Sequence, residues 1–273
     1  MNPPQFRNDG SRRCIFCGAG DLSLEDIWPK WISRLLPRKH AVWHAGQFRM
    51  FDPPTEQPKV TGRAWKKKRL ETTAKVVCKS CNNGWMSGIE NNTIPILKNL
   101  ILGSTRETTL TAEDQRTLAI WVTLRWMVYE TQLEGGSVQW FFTTDERHAF
   151  MENPEPPPDA LIWIGAAELG LLGAHMQGHS ATSPAGVGAY GEFTGFVGRF
   201  AFQCVCRRDG RQHNLDRAES LRWRSSTIRV WLPATDAVMW PPPLGLDGEL
   251  MNQFMARFIP VRETGASDRN DPR

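Results

Sequence analysis

The spacing of apolar positions changes several times along the chain, and each change predicts an element. From Pro29 to Leu36 the pattern suits a short helix with Pro29 at its first position, where a missing N–H costs nothing. Leu70 to Val77 ends in alternating and β-branched residues, which predicts a strand. Trp85, Met86, Ile89, Ile94, Leu97 and the Leu100/Ile101 pair then recur at helical spacing over Asn82 to Leu102, with an interruption expected near Pro95. Thr111 is a suitable N-cap, with Glu113 and Asp114 in the first turn of a helix running to about Leu133. The Leu118, Trp121, Val122, Arg125, Trp126 and Tyr129 stripe of that helix reads as core packing. Strands are expected at Val138 to Thr143, Leu161 to Ile164, Gly195 to Cys206 and Thr227 to Leu232, with a closing helix from Asp247 to Phe258. Pro-rich pieces starting at Asp52, Pro154 and Pro241 read as loops or turns. The sum is an α+β protein.

Composition fits an ordinary globular chain, with 273 residues, 40% hydrophobic and 23% charged. The longest apolar stretch, Ala160 to Ala174, is broken by Glu168 and falls short of the roughly 18 to 20 residues that cross a bilayer. No membrane role is expected. The opening MNPPQFRNDGSRR has no apolar segment of the kind a secretory signal carries, so a cytoplasmic location is expected. Charge divides unevenly: residues 1–108 hold 18 Lys and Arg against 9 Asp and Glu, whereas residues 109–273 hold 15 against 20. All nine lysines lie at or before Lys98, which places any anionic partner on the first half.

The six cysteines sharpen this picture. In a reducing compartment Cys14-x-x-Cys17 and Cys78-x-x-Cys81 read as two knuckles, each presenting two thiolates to one tetrahedral zinc, and Gly18 and Asn82 suit the turns that follow. The competing reading is two unrelated buried pairs. Cys204 and Cys206 sit one residue apart on an expected strand, so they share a face and belong to the core or an edge. The first half therefore runs knuckle, strand, loop, strand, knuckle, helix.

Between the knuckles comes Leu22-Ser23-Leu24-Glu25-Asp26-Ile27-Trp28-Pro29-Lys30-Trp31, and the second knuckle leads directly into Asn82-Asn83-Gly84-Trp85-Met86-Ser87. This arrangement resembles the HNH, or ββα-metal, endonuclease family in its zinc-knuckle branch, whose members read as EH(I/V)WPxW and CNNGWM. The resemblance covers roughly residues 13 to 92. It implies a zinc-stapled ββα-metal N-terminal domain, placed over residues 13–108; the element pattern puts a mixed α+β domain over 109–261, and the polar, charged composition of 1–12 and 262–273 reads as flexible ends. It further implies structural zinc on Cys14, Cys17, Cys78 and Cys81, and a catalytic Mg²⁺ or Mn²⁺ on Glu25 and Asn82. The expected activity is hydrolysis of DNA phosphodiesters.

Two positions depart from the family. Asp26 stands where the general-base His is expected, and no Asn lies between Asp26 and Cys81. An aspartate with a pKa near 4 is a poorer base than an imidazole, and loss of such assistance costs roughly 10² to 10⁴ in rate. Asp26 is thus a weak base, a second metal carboxylate, a substituted position, or the mark of a branch that binds DNA without cutting. His40 and His44 lie in the insertion, either as loop residues or folded over the site, and Glu90 is either a metal neighbour or a plain helix-face carboxylate. Arg63, Trp65, Lys66, Lys67, Lys68 and Arg69 combine positive charge with an indole, a composition that suits phosphate contacts and equally a solvated face. A non-cleaving zinc-dependent nucleic-acid-binding protein is the alternative to the nuclease. The Trp-rich second half leaves a protein partner or self-association open.

Overall fold

The short elements of the first half depend on elements far away in sequence, and the structure shows how they are tied. It is a computed structural model that describes residues 13–36, 42–45, 48–50, 59–61, 64–67, 73–103, 107–132, 141–168, 174–182, 188–208, 220–231 and 236–257. The expected flexible ends, the Pro-rich piece from Asp52, His40, and Arg63, Lys68 and Arg69 of the basic run lie outside the described residues.

Strand β1 (Leu22–Asp26) pairs antiparallel with β6 (Thr73–Cys78), and between them come helix α1 (Lys30–Leu35) and the strands β2 (Val42–Ala45), β3 (Phe48–Met50), β4 (Lys59–Thr61) and β5 (Ala64–Lys67). β2 pairs with β5, which sets Trp65, Lys66 and Lys67 opposite His44, Trp43 and Val42; β3 pairs with β4. After β6 a single turn α2 (Lys79–Cys81) passes through a widened turn at Asn82–Met86 into α3 (Ser87–Leu102). The expected break at Pro95 is absent. Asn91 and Pro95 are both exposed, so the helix passes Pro95 on its solvent side, and the irregularity falls instead at Gly84 (φ −94°, ψ −114°).

Helix α4 (Ala112–Tyr129) is the centre of the molecule, with thirteen of its eighteen residues buried, and so must be covered on all sides. It begins as expected, with Thr111 and Asp114 forming a reciprocal capping box. Its end comes at Tyr129, followed by one tighter turn at Glu130–Gln132 rather than a helix to Leu133. Phe141 to Thr143 form no strand, because their donors are taken: the Phe141 and Phe142 N–H groups donate to the buried Glu130 carboxylate at 2.7 and 3.3 Å, and Thr143 caps α5 (Thr144–Glu152).

A five-stranded antiparallel sheet packs against α4. Its members are β8 (Ala160–Ala166), β9 (Ala174–Thr182), β10 (Gly188–Val197), β11 (Phe200–Arg207) and β12 (Thr227–Trp231), in the spatial order β12-β8-β11-β10-β9. The expected single strand from Gly195 to Cys206 is the turn region of the β10/β11 hairpin, reversed at Gly198 (φ 55°), where a Cβ would stand 2.5 Å from the Ile101 carbonyl oxygen. Cys204 and Cys206 share a buried face of β11, as their spacing predicts. The remaining elements are α6 (Leu221–Ser226), a short pair of β7 (Thr108–Leu110) with β13 (Val238–Trp240), and the closing α7 (Gly248–Ala256) with Asp247 as its N-cap. Among the described residues no helix is long and apolar enough to cross a membrane.

One apolar cluster takes side chains from both sides of the expected boundary at 108/109: Trp28 lies 6.4 Å from Trp121 and 6.3 Å from Phe202, ring centre to ring centre. On the opposite face of the sheet, Gln203 bridges Glu192 Oε1 (2.8 Å) and the Phe254 carbonyl (2.9 Å), and accepts from Arg257 Nε at 2.9 Å. The Arg257 guanidinium lies over the Trp163 and Trp223 rings, 4.7 and 4.9 Å from their centres.

Burial pushes the Glu192 carboxyl up to about 7, against the lowering effects of Thr194, Gln203, Arg257 and Tyr190. The folded chain therefore holds a proton that the unfolded chain has released, so this contribution to stability is complete below about pH 4.5 and is lost as pH rises through about 7. Guanidinium unfolding at stepped pH should show Glu192→Gln flattening that decline by up to about 3 kcal/mol relative to the starting chain. Parallel declines in the two proteins would contradict this.

Candidate metal centre and its surroundings

The first knuckle is shaped by backbone bonds: the Gly18 N–H donates to the Cys14 carbonyl at 2.9 Å, and the Cys14 N–H donates to the Ala19 carbonyl at 2.8 Å. Gly18 adopts φ 75°, the left-handed conformation expected after the second cysteine. The Ile15 N–H donates to the Val76 carbonyl at 2.9 Å, which fixes this knuckle to β6, the strand that delivers Cys78. Cys78 caps α2, its Sγ accepting from the Cys81 N–H at 3.4 Å.

The four Sγ atoms of Cys14, Cys17, Cys78 and Cys81 all lie within 4.8 Å of one another, with Cys17 and Cys78 3.4 Å apart, and all four are free thiols. A tetrahedral zinc with Zn–S near 2.3 Å sets its sulfurs about 3.8 Å apart, so the cluster has the dimensions and the soft donors for such an ion. Burial pushes the Cys17 and Cys81 thiols up; in Cys14 backbone donors outweigh burial and hold the thiol down. A metal ion entering this group displaces protons that burial otherwise retains. Phe16 meets Trp85 edge-on at 4.9 Å, Trp85 meets Phe150 at 6.0 Å, and Met151 Sδ lies 3.9 Å from Cys81 Sγ. Helix α5 of the second half thus covers the cluster.

The residues beside it have other partners. Asn82 Nδ2 donates to Ser23 Oγ at 3.1 Å and to the Leu24 carbonyl at 3.4 Å, fastening the start of the helical segment to β1. Between Ser23 and Glu25 the register shifts by one extra residue on β6, so that Glu25 pairs with the buried Ala74; Leu24 faces outward, 63% exposed, and Glu25 inward, 6% exposed. There the Arg125 guanidinium of α4 meets it: Nη1 donates to Glu25 Oε1 at 2.9 Å and to the Asp26 carbonyl at 3.0 Å, and Nη2 lies 3.4 Å from Glu90 Oε1. Burial pushes the Glu25 carboxyl up, Arg125 draws it down, and Glu90 and Asp26 push it up again, leaving it raised. The Asp26 carboxylate pairs with Lys30 Nζ at 3.7 Å, one helical turn ahead.

No family model, curated protein or solved structure matches this chain. Among the described residues, the four cysteines are the one group of three or more His, Cys, Asp or Glu side chains close enough together to hold a metal ion. Glu25 and Asn82 have the oxygen donors that suit Mg²⁺ or Mn²⁺, but Glu25 already gives one oxygen to Arg125. Arg125 carried a signal in the sequence: a lone guanidinium amid Trp121, Val122, Leu124, Trp126 and Met127 has to find a buried anion. Of the basic run, Trp65, Lys66 and Lys67 fall on β5, and β2 and β3 run beside β9, the edge of the large sheet.

Metal analysis of the purified protein should give one zinc per chain. Cys78→Ser should lower this at least ~10-fold and reduce the melting temperature, since ligand loss removes part of a binding energy that is coupled to folding. Zinc-free protein with an unchanged melt would show that the cluster is a set of packed thiols.

Proposed function

We propose that the chain is an HNH-like, zinc-stapled DNA endonuclease, with the nuclease unit in residues 13–108 and a second α+β unit in 109–261. The observation that carries this reading is the tie from Asn82 to β1: the residue opening the helical segment after the last cysteine donates to Ser23 and Leu24, beside Glu25 and Asp26. An antiparallel strand pair leading through a four-cysteine cluster into a helix supports it. Glu25 and Asn82 would hold the Mg²⁺ or Mn²⁺, which when bound supplies charge stabilisation to the phosphoryl group and leaving oxygen. Asp26 takes the position of the base that accepts the proton of the attacking water. The basic stretch Arg63 to Arg69 brings DNA to this half by neutralising phosphates. A reducing interior, which keeps the four thiols available to zinc, is the setting this reading requires.

Arg125 favours a second reading, a zinc-dependent protein that binds DNA without hydrolysing it, because a guanidinium on Glu25 and an ammonium beside Asp26 occupy the two acids that chemistry needs. The two readings separate in a supercoiled-plasmid assay with zinc-loaded protein and added Mg²⁺ or Mn²⁺. The nuclease reading expects the starting chain to nick DNA, Asn82→Ala to lose at least about 10²-fold, and Asp26→His to gain a similar factor. Cleavage by Asp26→His alone, with salt-sensitive DNA binding by the starting chain, assigns this chain to the second reading. Absence of cleavage in all three overturns the active-site assignment.

A further inference from the structure

Arg125 is the point at which the second half enters the candidate catalytic site. Its side chain is wholly buried, and it meets Glu25 from β1 and Glu90 from α3, together with the Asp26 carbonyl. Two acids supplied by different elements therefore converge on one cation supplied by a third. Resting on the reading of Glu25 as a ligand for a divalent cation, we infer that Arg125 is a built-in competitor for that cation: the guanidinium and the metal contend for the same carboxylate, and loading requires Arg125 to withdraw from it.

The geometry makes the competition unavoidable at the shared oxygen. A divalent cation about 2.1 Å from Glu25 Oε1 would lie no more than about 5 Å from an Nη1 that is itself 2.9 Å from that oxygen. Both charges are positive, and neither side chain of the pair is open to the water and salt that screen such repulsion, with 0% and 7% of their surfaces exposed. A guanidinium does not relieve the conflict by losing a proton. It does have a second anchor, because its Nη2 faces Glu90, so release of Glu25 need not leave the buried charge without a counter-ion. The strand that presents Glu25 inward, the helix that carries Glu90 and the helix that carries Arg125 together set the balance.

The test is a Mn²⁺ titration of zinc-loaded, full-length protein, with free Mn²⁺ followed by electron paramagnetic resonance. It compares the starting chain with Arg125→Gln, with Arg125→Gln/Glu90→Gln, and with Arg125→Gln/Glu25→Gln. The first two variants should bind one Mn²⁺ at least ~10-fold more tightly than the starting chain, the scale on which groups adjoining a ligand tune a metal site, and the third should lose the gain. If Arg125→Gln fails to retain zinc and a cooperative melt, the Arg125→Gln/Glu90→Gln variant, which removes a cation and an anion together, decides the matter. Affinity unchanged or weakened in the folded variants overturns the inference, as does a failure of every protein to bind Mn²⁺. The nuclease reading fails separately: tighter Mn²⁺ binding with no plasmid cleavage by Arg125→Gln leaves the competition standing and removes the enzyme.

Discussion

A guanidinium with no exposed surface, placed in the middle of an apolar helix, constrains everything packed around it. Removing Arg125 from water carries a desolvation cost of several kcal/mol, which only close anions and hydrogen bonds offset. Glu25, Glu90 and the Asp26 carbonyl provide that compensation. Because they come from β1 and α3, the requirement orients both of these elements against α4, although the three share little sequence proximity. The flanking apolar packing of Trp28 on Trp121 and Phe202 then excludes water from the same region, which strengthens the pair. The register shift belongs to this constraint: an extra residue on β6 brings Glu25 opposite the buried Ala74 rather than the exposed Lys75.

The four-cysteine cluster does a different job at the other end of the strand pair. Sixty residues separate Cys17 from Cys78, and the β1/β6 pair they flank is too short to be stable alone. A metal ion joining the knuckles would close that loop and fix the start of the helical segment, where Asn82 reaches back to β1. Phe150 and Met151 cover the cluster from α5, so the second half packs on both the staple and the acid site. The two ends of the strand pair thus carry unlike groups, a cluster of four soft sulfur donors at one and a buried ion pair at the other.

Local chemistry was legible in the sequence. The knuckle spacing marked the four cysteines that meet, the Thr111 cap marked the start of α4, and the apolar residues Leu161 to Ile164 marked a strand. Features set by partners far along the chain were not. Pro95 carries a strong local signal for a break, yet its exposed side of α3 tolerates the lost bond, and the departure from helix falls at Gly84. Phe141 and Phe142 look like strand residues, but the Glu130 carboxylate takes their N–H groups. The Gly195 to Cys206 run divides because Gly198 alone allows the turn against Ile101. The pairing of Arg125 with Glu25 spans 100 residues, and no periodicity within either segment encodes it.

The Arg125–Glu25 pair is an energetic link between the halves. A double-mutant cycle of Arg125→Met and Glu25→Gln, read by chemical denaturation of the zinc-loaded chain, measures it directly. Each single variant should destabilise strongly, and the double variant should be less destabilised than their sum, with a coupling of at least about 1.5 kcal/mol. Single effects that add to within about 0.5 kcal/mol would show that the two side chains do not depend on each other, and would contradict the account.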